Sequence, residues 1–296
     1  MTASERLLRR LEWQVIRRLD GRLQGAYRTL FYGGGIDFAD LRSYTPGDDV
    51  RHIDWNVTAR LDEPFVRQYT EDRDLTAWLL LDRSQSMNFG PAERGKDVVL
   101  TELAVTLARL LSQGGNRVGA MLYDNELERT IPPRTGRVHV LRITHELSKQ
   151  PPKRPAGSGR TTDLTVLLYA ALSTVRRRSL VFLVSDFISE PGWERPLALL
   201  ARRHEVVAVR LVDPLELELP DVGLIMVEDA ETGEQMLADT SDPVFRQRLR
   251  TAVAAREATL QTMLSRAGVR AHDVSTDEDL AGALINMVRH SKTPRR

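Results

Sequence analysis

Three stretches of this 296-residue chain place oxygen-bearing side chains where apolar runs stop. In LTAWLLLDRSQSMNFG, residues 75–90, the apolar run ends at Asp82, and Ser84 and Ser86 follow at alternate positions. In GSGRTTDL, residues 157–164, a glycine-rich loop delivers Thr161, Thr162 and Asp163 to the start of an apolar helix. In LVFLVSDF, residues 180–187, Asp186 again stands at the end of an apolar run. A hard divalent cation such as Mg²⁺ takes oxygen ligands in an octahedron and keeps several of its waters. Two serine hydroxyls at i and i+2 can point the same way in an extended loop. A threonine hydroxyl adds a third ligand, and two aspartates balance charge directly or through water. So few charges hold a cation weakly unless an anion fills the last position. Each group also has a plainer use. Asp163 ahead of LTVLL fits an N-cap, and Ser84 and Ser86 suit a turn. Asp82 and Asp186 are harder to explain that way, because an unpaired carboxylate at the end of a buried strand is costly.

Bringing these residues together requires a sheet. LTAWLLL and LVFLVS have the continuous apolar character of strands covered on both faces. RVGAMLY and EVVAVRLVD predict two more, LERTIPP an edge strand ended by proline, and GVRAHDV the last. Val99, Leu103, Leu107 and Leu110 stripe a helix that stops at Gly114-Gly115. Leu164, Leu167, Leu168, Ala171, Leu172 and Val175 stripe another, with Arg176 to Arg178 at its carboxyl end, where the helix dipole favours them. WERPLALLARRH and residues 243–266 predict further helices, and Ser275 with Glu278 fits the capping box of a final one. GLIMVEDAETGEQMLA, residues 223–238, predicts a hairpin about its Glu-Thr-Gly turn. The alternation implies an α/β fold with a mostly parallel sheet flanked by helices. In such sheets ligands gather at the carboxyl ends of strands, near the point where strand order reverses. Asp82 and Asp186 fall at strand ends of that kind.

Ahead of the sheet, Leu8, Leu11, Val15 and Leu19 predict an amphipathic helix over residues 4–22 with arginines on its other face. Packing on the protein, with a solvated basic face, is the simpler role for it than lying on a membrane or an acidic partner. The next segment sets glycine and proline turns between short β-type runs such as EPFVRQY. The organisation expected is an N-terminal helix at 1–22, a β-rich module at 23–74, an α/β domain at 75–290 with a hairpin insertion near 216–240, and a disordered tail at 291–296. The 42% hydrophobic and 28% charged content is that of a soluble globular protein. With 42 basic against 41 acidic residues there is no electrostatic case for nucleic acid. The chain has no cysteine, which excludes disulfides, thiolate metal sites and cysteine nucleophiles. It shows no signal-peptide core and no apolar run of the ~20 residues that span a bilayer, so a cytoplasmic location is expected.

Asp-x-Ser-x-Ser at 82–86, Gly-x-Thr-Thr-Asp at 159–163 and the strand-end Asp186 together resemble the metal-ion-dependent adhesion site of von Willebrand factor A domains. The resemblance covers roughly residues 75–215 and implies a Rossmann-type fold. It also implies that Asp82, Ser84, Ser86, Thr162 and Asp186 are the metal positions. Thr162 is preferred over Thr161 because in that family the threonine sits just before the Asp or Asn that opens a helix. Upstream, GGGIDFADLRSYTPGDDVRHIDWNVTAR, residues 33–60, resembles the signature of a bacterial family of A-like proteins, domain of unknown function fifty-eight. Its members are typically encoded beside MoxR-type AAA+ ATPases, which implies such an ATPase as partner in a chaperone-like system. Many members carry two amino-terminal membrane helices, and a membrane-anchored form is not expected here. Within the signature, Asp48 or Asp49 can pair with Arg51, and Asp54 with Arg42 or Arg60, while Trp55 supplies apolar area. A structural joint between module and sheet is the role expected of it.

Enzymatic alternatives lack their residues. There is no Gly-x4-Gly-Lys-Ser/Thr loop, no G-x-S-x-G elbow and no H-E-x-x-H helix. An aspartate-nucleophile phosphatase would want an acid at position 84, where a serine stands, and two-metal hydrolysis needs more carboxylates. The expectation is a non-enzymatic adaptor that binds Mg²⁺ or Mn²⁺ and docks an acidic residue of a partner. The alternative is a metal-dependent hydrolase, acting on phosphoesters or peptides with the same Asp/Ser cluster.

Overall fold

A computed structural model of the chain describes residues 2–16, 40–45, 53, 55–61, 63–68, 75–91, 94–149, 161–228 and 235–291. The N-terminal part holds α1 (Ala3–Leu11), a π turn at Glu12–Ile16, β1 (Asp40–Ser43), α2 (Trp55–Leu61) and β2 (Phe65–Gln68). There follow β3 (Thr76–Asp82), a 3-10 turn at Gln85–Asn88, α3 (Lys96–Gln113), β4 (Arg117–Tyr123), β5 (Leu127–Arg134) and α4 (Arg137–Leu147). Next come α5 (Leu164–Thr174), β6 (Leu180–Ser185), α6 (Glu194–Arg203), β7 (Glu205–Val212) and α7 (Pro214–Leu217). The chain closes with β8 (Leu224–Glu228), β9 (Gln235–Asp239), α8 (Pro243–Ala267), β10 (Ala271–Ser275) and α9 (Leu280–Ser291).

Six strands form the central sheet in the order β10-β7-β6-β3-β4-β5, all parallel except β5, which runs antiparallel at one edge. From β3 the chain first builds outward through β4 and β5, then returns to β3's other side with β6 and continues to β7 and β10. Strand order therefore reverses between β3 and β6, the place where an open α/β sheet forms its crevice. Alternation along each strand divides the core. Ala77, Leu79 and Leu81 of β3 and Leu180, Phe182 and Val184 of β6 face α1, α3, α4 and α9. Trp78 and Leu80 with Val181 and Leu183 face α5, α6 and α8. Gly119 lies opposite Trp78 across β4, where a Cβ would come within 2.9 Å of the indole. Glycine there leaves room for the indole against the neighbouring strand.

Several local expectations need correction. The first helix ends at Leu11 and passes into the π turn, while Leu19 lies outside the described residues. Leu8, Leu11 and Val15 are nevertheless buried, and Arg10 pairs with Glu102 of α3 while Glu12 accepts from Arg109 Nε at 2.8 Å. The apolar face of α1 is thus spent on the body of the protein. The proline pair Pro132-Pro133 lies inside β5, which runs on to Arg134, as an edge strand permits. Arg176, Arg177 and Arg178 lie beyond α5, which ends at Thr174. Ser275 is not the cap of α9: it ends β10, its hydroxyl donates to Asp277, and Asp279 Oδ2 instead accepts from Gly282 N at 3.1 Å. The helix then runs to Ser291, one residue into the expected tail, and residues 292–296 lie outside the described part. The hairpin is present as β8–β9, with its Glu-Thr-Gly turn outside the described residues. In the N-terminal module, β1 and β2 pair antiparallel. Asp48, Asp49, Arg51 and Asp54 lie outside the described residues, and so does the side chain of Arg42. Trp55 is 69% exposed and buries little of the apolar area expected of it. Among the described residues no helix is long and apolar enough to cross a membrane.

Because Leu8 is fully enclosed, Leu8→Ala is expected to lower unfolding stability by about 2–5 kcal/mol in urea titrations. An unchanged midpoint would mean that α1 is not part of the folded core.

Candidate metal centre

Asp82 closes β3 with a fully buried carboxylate. Its Oδ1 accepts the Ser84 N–H at 3.0 Å, and its Oδ2 accepts the Ser185 hydroxyl at 2.7 Å. The first contact turns the chain sharply after the strand, and the Met87 N–H to Ser84 carbonyl bond at 3.0 Å starts the 3-10 turn. Serines two residues apart consequently present their hydroxyls side by side, with the Oγ atoms of Ser84 and Ser86 3.1 Å apart. Ser84 is fully buried and Ser86 4% exposed.

One strand over, Asp186 follows β6 and is 4% exposed. Its Oδ1 accepts the Ile188 N–H at 2.9 Å, and the Phe187 N–H donates to Ser185 Oγ at 2.9 Å. Between these two contacts Phe187 is held at φ +58°, a left-handed conformation that a bulky residue adopts only under constraint. Its ring packs on Trp193 at a centroid distance of 5.3 Å. The third segment is tied to this turn: Glu190 N–H donates to the Thr162 carbonyl at 2.8 Å, and Leu164 N–H to Ser189 Oγ at 3.0 Å. From β4, the Tyr123 hydroxyl donates to the Asp163 carbonyl at 2.6 Å and accepts the Asp163 N–H at 3.1 Å. Asp163 caps α5 through the Thr165 N–H at 2.9 Å. Thr162 is 1% exposed. The fold thus gathers Asp82, Ser84, Ser86 and Asp186 at the β3/β6 reversal and fixes Thr162 in the loop bonded to the turn after Asp186.

Three partners escaped the sequence analysis. Ser185 supplies the hydroxyl that holds Asp82. Lys96, fully buried at the start of α3, donates to Asp186 Oδ2 at 2.7 Å and to Glu216 Oε1 of α7 at 2.6 Å. Each strand-end aspartate thus has partners within the chain, as the cost of leaving a buried carboxylate unpaired requires. Ser185 was readable as the neighbour of Asp186. Lys96 and Glu216 carry no local signal, because their contacts span 90 and 120 residues of chain.

Burial, and secondarily the nearby Asp186 charge, push the Asp82 carboxyl up to about 7. Negative charge is thus crowded where water is excluded, and hydroxyl oxygens are turned toward one another. An oxygen-only set of this kind fits a hard cation such as Mg²⁺ or Mn²⁺ and does not fit an imidazole or thiolate metal site. Among the described residues no group of three or more His, Cys, Asp or Glu side chains forms a ligand cluster, so such an ion would depend on the hydroxyls.

A carboxyl raised on folding makes the native state bind more protons than the unfolded chain between about pH 4 and 7, so stability falls as pH rises through that window. In chelator, the melting temperature is expected to drop between about pH 4 and 7 and to level off above that, and Asp82→Asn to flatten that slope. Equal slopes for both proteins would show that Asp82 ionises as freely when folded as when unfolded.

The family described as "Protein of unknown function DUF58" matches residues 40–259. An uncharacterized protein of Mycobacterium tuberculosis is 38% identical over 282 residues, covering 95% of this chain and 87% of that protein. One from Mycobacterium avium is 32% identical over 166 residues, 56% of this chain and 94% of its own length. Among solved structures, the conserved hypothetical protein BatB from Bacteroides thetaiotaomicron aligns with a TM-score of 0.47 at 14% identity, over 74% of this chain and 98% of that one. The SpRpn10 VWA domain aligns with a TM-score of 0.39 at 12% identity, over 72% and 94%. With the family match spanning most of the chain, and a relative alike almost from end to end, this protein belongs to the DUF58 family.

Proposed function

We propose that the protein is a non-enzymatic adaptor that binds a partner through a divalent cation. What carries this reading is the buried Asp82-Ser84-Ser86 turn beside Asp186 at the strand-order reversal. Asp82, Ser84, Ser86, Thr162 and Asp186 would hold Mg²⁺ or Mn²⁺. The ion, when bound, supplies an electrophilic position that a partner's Asp or Glu can fill. The protein's own contribution is to fix the donors in advance. Ser185 and the Ser84 N–H orient Asp82, the Ile188 N–H orients Asp186, and Tyr123 holds the loop that carries Thr162.

The five side chains are only 0–4% exposed. Groups so enclosed admit at most a single side chain of a partner, which suits docking better than hydrolysis of a bulky phosphoester or peptide. Binding of metal and partner carboxylate is reciprocal, each tightening the other. The family resemblance points to a MoxR-type AAA+ ATPase as partner, with the pair remodelling or activating client proteins in the cytoplasm. Near-zero net charge speaks against nucleic acid as the ligand.

In calorimetry the wild type is expected to bind Mn²⁺ at one saturable site, and Asp82→Ala, shown to be folded by circular dichroism, to lose it. Capture of the ATPase should require divalent metal and weaken by about 2–5 kcal/mol in the variant. Equal capture by both proteins, with and without chelator, would contradict the proposal.

A further inference from the structure

Lys96 stands where ordinary preferences disfavour a cation. It is the first residue of α3, and the positive end of a helix dipole repels an ammonium. Its side chain is fully buried, so its hydration is lost. What holds it is a closed set of groups from three other segments: Asp186 Oδ2 at 2.7 Å, Glu216 Oε1 at 2.6 Å and the Phe89 ring, whose centroid lies 5.7 Å away. One of the two acidic partners is itself a proposed metal position. Any divalent ion held by Asp186 would therefore sit beside an ammonium that has no water to screen it.

We infer that Lys96 is a resident monovalent cation that sets the metal affinity of the site, neutralising Asp186 and repelling a divalent ion so that metal binds weakly alone and more tightly together with an anionic group. This rests on the proposed reading of the site as a metal centre. It explains why the acidic groups at the strand ends persist without a metal cage: the protein carries a permanent positive charge among them. It also separates Lys96 from a simple clamp by sign. If Lys96 merely positioned Asp186, removing it would weaken metal binding, whereas removing a repelling charge strengthens it.

The test is Mn²⁺ affinity of the full chain by calorimetry, for wild type, Lys96→Met and Lys96→Arg, each checked by circular dichroism. Lys96→Met is expected to bind Mn²⁺ at least about tenfold more tightly than wild type, since one close buried charge easily outweighs a single decade of affinity. Lys96→Arg, which keeps the charge, should stay within about threefold of wild type. Equal or weaker binding by a folded Lys96→Met overturns the role given to Lys96 while leaving the metal centre intact. Absence of Mn²⁺ binding in both wild type and Lys96→Met removes the metal reading itself. Lys96→Met leaves the buried Asp186 and the partly buried Glu216 without their cation and can fail to fold. Glu216→Gln then decides: with Lys96 kept and one balancing carboxylate gone, Mn²⁺ should bind at least about threefold more weakly, and unchanged affinity overturns the inference.

Discussion

Two carboxylates from adjacent parallel strands, Asp82 and Asp186, meet at the edge of a dry interior, and the surrounding structure is arranged to keep them there. Each unpaired charge in such a place would be expensive. The fold answers with short, directed contacts: a serine hydroxyl and a backbone N–H on Asp82, and an N–H and the Lys96 ammonium on Asp186. The compensation is uneven. Among the described residues Asp82 receives hydrogen bonds but no cation of its own, and burial together with the Asp186 charge raises its carboxyl to about 7.

The larger architecture follows from supporting that meeting point. Strand order reverses at β3/β6, the place in an open α/β sheet where the loops after two neighbouring strands leave in opposite directions. Both flanking strands are apolar on both faces, so each side of the sheet must be covered: α3 with α1, α4 and α9 on one side, α5, α6 and α8 on the other. Those two layers also deliver polar groups to the site from opposite sides. The start of α3 brings Lys96, and the start of α5 follows Thr162 and the capping Asp163. Even the strained Phe187 serves this end, because its left-handed turn lets Ser185 hold Asp82 while Ile188 N–H holds Asp186.

Much of this was legible in the sequence. Strands buried on both faces declare themselves by continuous apolar runs, and their last residues then stand out, which is why Asp82 and Asp186 were found together with the alternate Ser84 and Ser86. The Asp163 cap was readable from its position before LTVLL. Lys96 and Glu216 were not, since a lysine opening a helix reads as solvated unless the chain's three-dimensional path is known. The cap of α9 was misassigned because Ser275 and Glu278 match a common motif while the strand β10 already claims Ser275. In the first helix the apolar spacing was correct, yet the backbone passes into a π turn at Glu12 that spacing alone does not reveal.

The most direct test of the account is anomalous diffraction from crystals of the protein grown with Mn²⁺ and an added carboxylate such as acetate. The account predicts one strong manganese peak bordered by Asp82, Ser84, Ser86, Thr162 and Asp186, with acetate completing its shell. Saturating Mn²⁺ that leaves this recess without a peak, while Ser84 and Ser86 remain bonded to each other, would contradict it.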